Sequence, residues 1–194
     1  MPLKIESKLR KFFRSYASLK RLNHCIRVAE TALEIGEKIG LDREKIILAA
    51  VLHDIARDLD KGETKTWAAK YYDINSIEQR QLVLLHGKAG AAIARENYGV
   101  TDEEVLEAVQ YHTTGKPGMS DLAKVVLIAD TIEPKRKHIS PAYRRWIVGM
   151  PINEALKEII QDQVQYLKDR NKPVADVTAA LFVELTHGVN ILET

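Results

Sequence analysis

The stretch AAVLHDIARD, residues 49–58, decides how this chain is read. From Ile46 to Ala56 every residue is aliphatic except His53 and Asp54, which stand side by side. Helical sequence this apolar is normally buried. An ionised carboxylate buried without a partner is very costly. The pair therefore requires compensating groups from elsewhere in the chain, and the rest of the sequence has to be searched for them.

Composition bounds the search. The chain has 194 residues, 45% hydrophobic and 29% charged, with a net charge of +2. That suits one domain spanning 1–194 with a sizeable core. The charge is too small to argue for nucleic acid. A single cysteine, Cys25, excludes an intrachain disulfide and suits a reducing compartment. No apolar run reaches the roughly 18 residues of a membrane-spanning helix, and MPLKIESKLRKFFRSY at the start has no signal-peptide core. The expectation is a cytoplasmic protein with no membrane partner.

The period is helical nearly everywhere. Leu22, Cys25, Ile26, Ala29, Leu33 and Gly36 fall on one face, with Gly40 as a stop. Asp42 can cap the helix that carries the apolar run. Thr101 with Glu104 reads as a capping box opening a helix toward His112. TGKPG, 114–118, is a loop; Ser120 caps DLAKVVLIADTIE, which Pro134 stops. Pro151 fits the first turn of a long helix through Leu167, and a last amphipathic helix runs to about Asn190. No strand signal persists. The fold class is all-α, a bundle of roughly eight to ten helices, with a core over about 15–135 and C-terminal helices over 140–192. In KLRKFFRSYASLKR, 8–21, Phe12, Phe13 and Tyr16 are expected to pack inward from an amphipathic helix. Trp67, Tyr71 and Tyr72 are expected in core or rim packing.

Of six histidines, four (His24, His53, His86 and His112) lie within or next to separate predicted helices. Asp54 adjoins one of them, and Asp130 ends the aliphatic run LIAD. Each has a bland reading: a hydrogen-bonded core histidine, an Asp54–Arg57 pair at i+3, an Asp130 side chain turned to the backbone. Six residues on five helices would need five such explanations, whereas one metal site accounts for all of them. Imidazole with carboxylate suits Fe, Mn or Zn.

The ordered set His24, His53–Asp54, His86, His112 and Asp130 resembles the HD-domain metal-dependent phosphohydrolases, an all-helical superfamily. RLNHCIRVAETA, LAAVLHDIARDL, LLHGKAGA and AVQYHTTGKPGMSDLAKVVLIADTIEPKR look like the YqeK family within it, over about residues 15–190. That family hydrolyses diadenosine tetraphosphate symmetrically to two ADP. The resemblance implies His24, His53, Asp54 and Asp130 as ligands of a first iron-type site, with Mn, Co or Zn as substitutes. It implies Asp54 as a bridge to a second metal held by His86 and His112, which contact phosphate where that second metal is absent. Asp54, His86 and His112 then carry catalysis. Arg21, Thr113, Asp130 and Arg136 fall where the family contacts nucleotide, together with the loop Pro173, Val174, Ala175, Asp176, Val177 and Thr178. Family members tend to follow that loop with an Asn-containing stretch; this chain reads TAALFVE. The implied partners are the dinucleoside polyphosphate and its ADP product, with no nucleic acid; a homodimer is compatible with the apolar terminal helix. Other readings stay open: a different HD nucleotidase or phosphodiesterase, a non-catalytic sensor of nucleoside diphosphates, or a helical interaction module with buried histidines. Among nearby basic residues, Arg21 and Arg136 are expected at phosphate, while Lys88 and Lys137 are expected in solvent.

Overall fold

The computed structural model describes Leu3 and residues 6–188. Its helices are α1 (Ser7–Arg14), α2 (Leu19–Gly36), α3 (Arg43–Leu52), α4 (Lys61–Ala69), α5 (Ser76–Arg80), α6 (His86–Ile93), α7 (Glu103–Tyr111), α8 (Asp121–Ile132), α9 (Pro141–Val148), α10 (Ile152–Lys168) and α11 (Asp176–Leu185). The described residues contain eleven α-helices and no strand, one helix above the expected range.

Helix starts follow local chemistry. Ser18, Asp42, Asp60, Ser120 and Ser140 each accept a backbone N–H three residues on, satisfying a donor the helix leaves unpaired. The cap of α7 is Asp102, not Thr101: its carboxylate takes the N–H groups of Glu104 and Val105, which a one-residue shift toward the stronger acceptor explains. Pro134 stops α8 at Ile132 as expected. Pro151 sits one residue before α10. The last helix ends at Leu185, short of the expected Asn190, which lies outside the described residues.

α2 packs on α3 and α8, and α7 packs on α3, α6 and α8. These elements enclose the core, with Leu22, Leu52, Ile55, Val109, Val126 and Ile128 fully buried. α10 ties α8 to α11, and α1 lies on α2. Phe13 is fully buried under α1 and Phe12 and Tyr16 are partly so, while Arg10, Lys11 and Arg14 stay in solvent.

Two features position the site. First, α3 ends at Leu52, so the His53–Asp54 pair lies at the helix end and not mid-helix. The chain continues in tight turns, with Ile55 N–H on the Leu52 carbonyl and Arg57 N–H on that of Asp54. Three-residue turns separate successive side chains by about 120°, against 100° in an α-helix. Second, Gly87 lets α6 touch α7: a Cβ there would sit 2.3 Å from the Gln110 carbonyl oxygen. Lys88 is not free in solvent. It closes on the buried Glu78 at 2.6 Å and on the Asp73 carbonyl at 2.7 Å, because a buried carboxylate needs a cation.

Candidate metal centre

The four histidines and two aspartates converge from α2, the turn after α3, α6, the end of α7, and α8. His24, His53, Asp54, His86 and His112 are buried, and the Asp130 side chain is 19% exposed. The two oxygens of Asp54 have different neighbours. Oδ2 lies 3.7 Å from His24 Nε2 and 3.8 Å from His53 Nε2. Oδ1 lies 3.2 Å from His86 Nε2 and 3.6 Å from His112 Nε2. Asp130 Oδ1 joins the first group, 3.0 Å from His24 Nε2 and 3.8 Å from His53 Nε2. Asp54 thus stands between two sets of donors.

The donor chemistry fits cations. The Nδ1 atoms of His53, His86 and His112 face the carbonyls of Ala50, Val83 and Val109 at 2.7, 2.5 and 2.8 Å. A carbonyl only accepts, so each Nδ1 carries a proton, and an unprotonated Nε2 turns its lone pair inward. His86 and His112 Nε2 are 2.9 Å apart. Two lone pairs and a carboxylate oxygen at that spacing require a cation or a proton among them. His53 Nε2 and His24 Nε2 are buried without a hydrogen-bond partner; His24 approaches Asp130 closely but out of alignment. His24, His53 and Asp130 bring donor atoms within 4.8 Å of one another, as do His53, Asp54 and His112. These are distances over which one ion contacts three donors.

Protonation follows the same geometry. Burial drives the pKa of His53 down to about 4, helped by His112 and His24 and opposed by both aspartates, so the ring is neutral at pH 7. Burial likewise lowers His86. For His112 the hydrogen bond and charge of Asp54 outweigh burial and raise the pKa. Burial opposes the charge on Asp54, yet His53, His112 and His86 outweigh it and hold the carboxyl far below its usual range. Asp130 is also held low, with His24, His53 and Arg136 overcoming burial.

Two arginines border the cluster. Arg21 Nη1 is 2.6 Å from Asp54 Oδ2, so the partner of Asp54 is Arg21 and not Arg57, which is exposed. Asp58 holds Arg21 from behind at 3.4 Å, itself taking the Ser18 hydroxyl at 2.7 Å. Arg136 donates to the Asp130 carbonyl at 2.9 Å and pairs with its carboxylate. Thr113 Oγ1 is 3.3 Å from His86 Nε2. The structure thus places Arg21, Thr113 and Arg136 beside the cluster.

The 173–178 loop lies differently. The Thr178 hydroxyl is buried and donates to the Thr114 carbonyl at 2.7 Å, and Gln163 donates to the Thr113 carbonyl at 2.9 Å. Ala175 is buried, Val174 and Val177 are partly so, and Pro173 and Asp176 are exposed. Thr178 therefore braces the loop after His112. Sequence reasoning missed Gln163, for which no local signal exists. It also missed Arg27 and Glu133, whose i+3 spacing from His24 and from Asp130 was a usable signal.

The HD domain family model matches residues 21–135, more than half the chain. A symmetrical bis(5'-nucleosyl)-tetraphosphatase from Halalkalibacterium halodurans is 35% identical over 85% of this chain and 88% of its own. The enzyme of that name from Bacillus subtilis is 34% identical over 87% and 90%. A crystal structure from Clostridium acetobutylicum, of a "predicted HD superfamily hydrolase involved in NAD metabolism", superposes with a TM-score of 0.88 at 28% identity, covering 95% of this chain and 98% of that one.

Proposed function

The chain belongs to the HD-domain family, with the symmetrical bis(5'-nucleosyl)-tetraphosphatases among its relatives, and on that premise we propose that it hydrolyses diadenosine tetraphosphate to two ADP. The observation that carries this reading is the division of Asp54: one oxygen faces His24 and His53, the other faces His86 and His112.

The His/Asp cluster fits a divalent metal. We assign His24, His53, Asp54 and Asp130 to one metal and His86, His112 and Asp54 to a second, with iron as the physiological ion and Mn, Co or Zn as substitutes. A bound divalent ion supplies a water of lowered pKa and neutralises phosphoryl charge. The chain's own residues set the rest. Asp54 and Asp130 stay ionised at any physiological pH, and His53 stays neutral, so these ligands need shed no proton. The guanidinium groups of Arg21 and Arg136 border the cluster on the Asp54 and Asp130 sides. There they hold the anionic chain and take up charge spreading over equatorial oxygens in the transition state. Thr113 adds a hydroxyl next to His86. Water attacks an inner phosphorus, the central anhydride oxygen leaves with the other half, and both products are ADP. The substrate is two-fold symmetric, so either inner phosphorus gives the same outcome. If the second site is unfilled, the inward Nε2 atoms of His86 and His112, 2.9 Å apart, would contact phosphate instead of metal.

No helix among the described residues is long and apolar enough to cross a membrane. The lone, buried Cys25 supports a reducing, cytoplasmic location. The test is product analysis: diadenosine tetraphosphate with iron or manganese, resolved by chromatography, should give ADP alone. AMP with ATP would refute symmetrical cleavage. Absence of turnover, with turnover of a nucleoside monophosphate, would assign the site to another HD phosphohydrolase activity.

A further inference from the structure

His24 differs from the other three histidines at its outer nitrogen. His53, His86 and His112 each direct Nδ1 to the carbonyl three residues earlier, at a helix end or first turn. His24 lies inside α2, where the nearby carbonyls are engaged in the helix ladder. Its Nδ1 instead faces Glu133 Oε1 at 3.5 Å. Glu133 reaches this point because Pro134 follows it. The residue before proline is kept from the helical region, and Glu133 is extended (φ −56, ψ 147), closing α8. Its side chain is 4% exposed, and Oε2 is saturated by Arg27 Nε at 2.9 Å and the Lys135 N–H at 3.0 Å. Arg27 Nη1 is in turn fixed on the Asn23 carbonyl at 2.8 Å. His24 therefore sits between two carboxylates of one chain segment: Asp130 at Nε2 and Glu133 at Nδ1.

We propose that Glu133 is a positioning residue of the metal centre: held by Arg27, its carboxylate keeps the proton of His24 on Nδ1 and so aims the Nε2 lone pair at Asp54 and Asp130. The inference rests on the reading of His24 as a metal ligand. A carboxylate behind a ligating imidazole fixes its tautomer and orientation and makes it a stronger donor. The other three histidines get their orientation from backbone carbonyls, so Glu133 acts on the one ligand the local backbone cannot orient.

The competing account is a structural ion pair between Glu133 and Arg27 with no effect on His24. Manganese titration of the full chain after chelator treatment separates the two. Glu133→Gln should weaken manganese binding by about 10–100-fold, while Arg27→Gln, which breaks the same pair but keeps the carboxylate, should weaken it much less. Equal losses, or no loss in a folded Glu133→Gln variant, would overturn the proposal. Should Glu133→Gln not fold, nitrogen-15 NMR of the histidines in the metal-free wild-type chain still decides. The resonance lost in His24→Asn should report a proton on Nδ1; a proton on Nε2 would refute Glu133. Neither readout uses turnover, so wild-type activity on diadenosine tetraphosphate tests the functional reading separately.

Discussion

At Asp54 a single side chain joins every part of the centre: Arg21 and two imidazoles on Oδ2, two imidazoles on Oδ1. Asp54→Asn keeps the shape but replaces one oxygen by a donor that would point at histidine nitrogens or Arg21. Second-sphere losses around a metal cost about 10–100-fold, so loss of this group should lower activity by more than about 100-fold. Bound metal per chain, measured by atomic absorption, should fall with it. Turnover surviving in a metal-depleted Asp54→Asn protein would refute the metal-hydrolase reading. At this scale the sequence was informative about identity, since the apolar setting of His53 and Asp54 already demanded partners. It gave no role to Asp58, whose carboxylate takes Arg21 directly across 37 positions of chain and the Ser18 hydroxyl across 40.

Helices position these residues, and contacts between helices set the distances. α6 and α7 touch at Gly87, and His86 and His112 meet as a result. Gly87→Ala would gain up to about 1 kcal/mol of helix propensity. It would also press a methyl carbon against a backbone oxygen that has no rotamer to yield, an overpacking cost of about 1–3 kcal/mol. The second effect wins, so Gly87→Ala should lower Tm and, by separating His86 from His112, cut activity more than stability. On α7, Glu107 takes the Ser120 N–H at 2.9 Å and Lys116 at 2.8 Å, pinning the loop between His112 and α8. Burial opposes its charge, but Lys116 and Ser120 hold its pKa below the usual carboxyl value. A depressed folded pKa gives stability that is fully present above the unfolded value, near 4.3, and is lost as pH falls through the folded one. Glu107→Gln should therefore cost about 1–2 kcal/mol near neutrality, a difference that shrinks below about pH 4 in urea titrations. Helix starts were legible because caps are local chemistry. The end of α3 at Leu52 was not, because the apolar pattern resumes at Ile55 and Ala56 after the His53–Asp54 pair while the backbone tightens around the site.

Across the whole molecule, the segment beyond residue 135 braces the loop after His112 from outside the matched HD region. Gln163 on α10 and Thr178 on α11 hold the carbonyls of Thr113 and Thr114, and the Glu184 carboxylate accepts the Gly118 N–H at 3.1 Å. Gly115, at φ +60, lies against Leu181, where a Cβ would come within 2.4 Å. Thr178→Val preserves volume and removes one bond, worth about 1 kcal/mol. If the clamp sets Thr113, KM for the dinucleotide should rise several-fold with metal content unchanged; an unaltered KM would reduce Thr178 to a packing role. The sequence by itself determined the helical class, the caps Asp42 and Ser120, and the inventory of four histidines and two aspartates in order. It could do so because periodicity, capping and the cost of a buried charge are all local. Only the tertiary structure decided which oxygen of Asp54 meets which imidazole, that Glu133 stands behind His24, and that Thr178 braces a loop. Apart from the neighbours His53 and Asp54, those contacts join residues 30 or more positions apart, and their geometry is set by helix packing that no local pattern encodes.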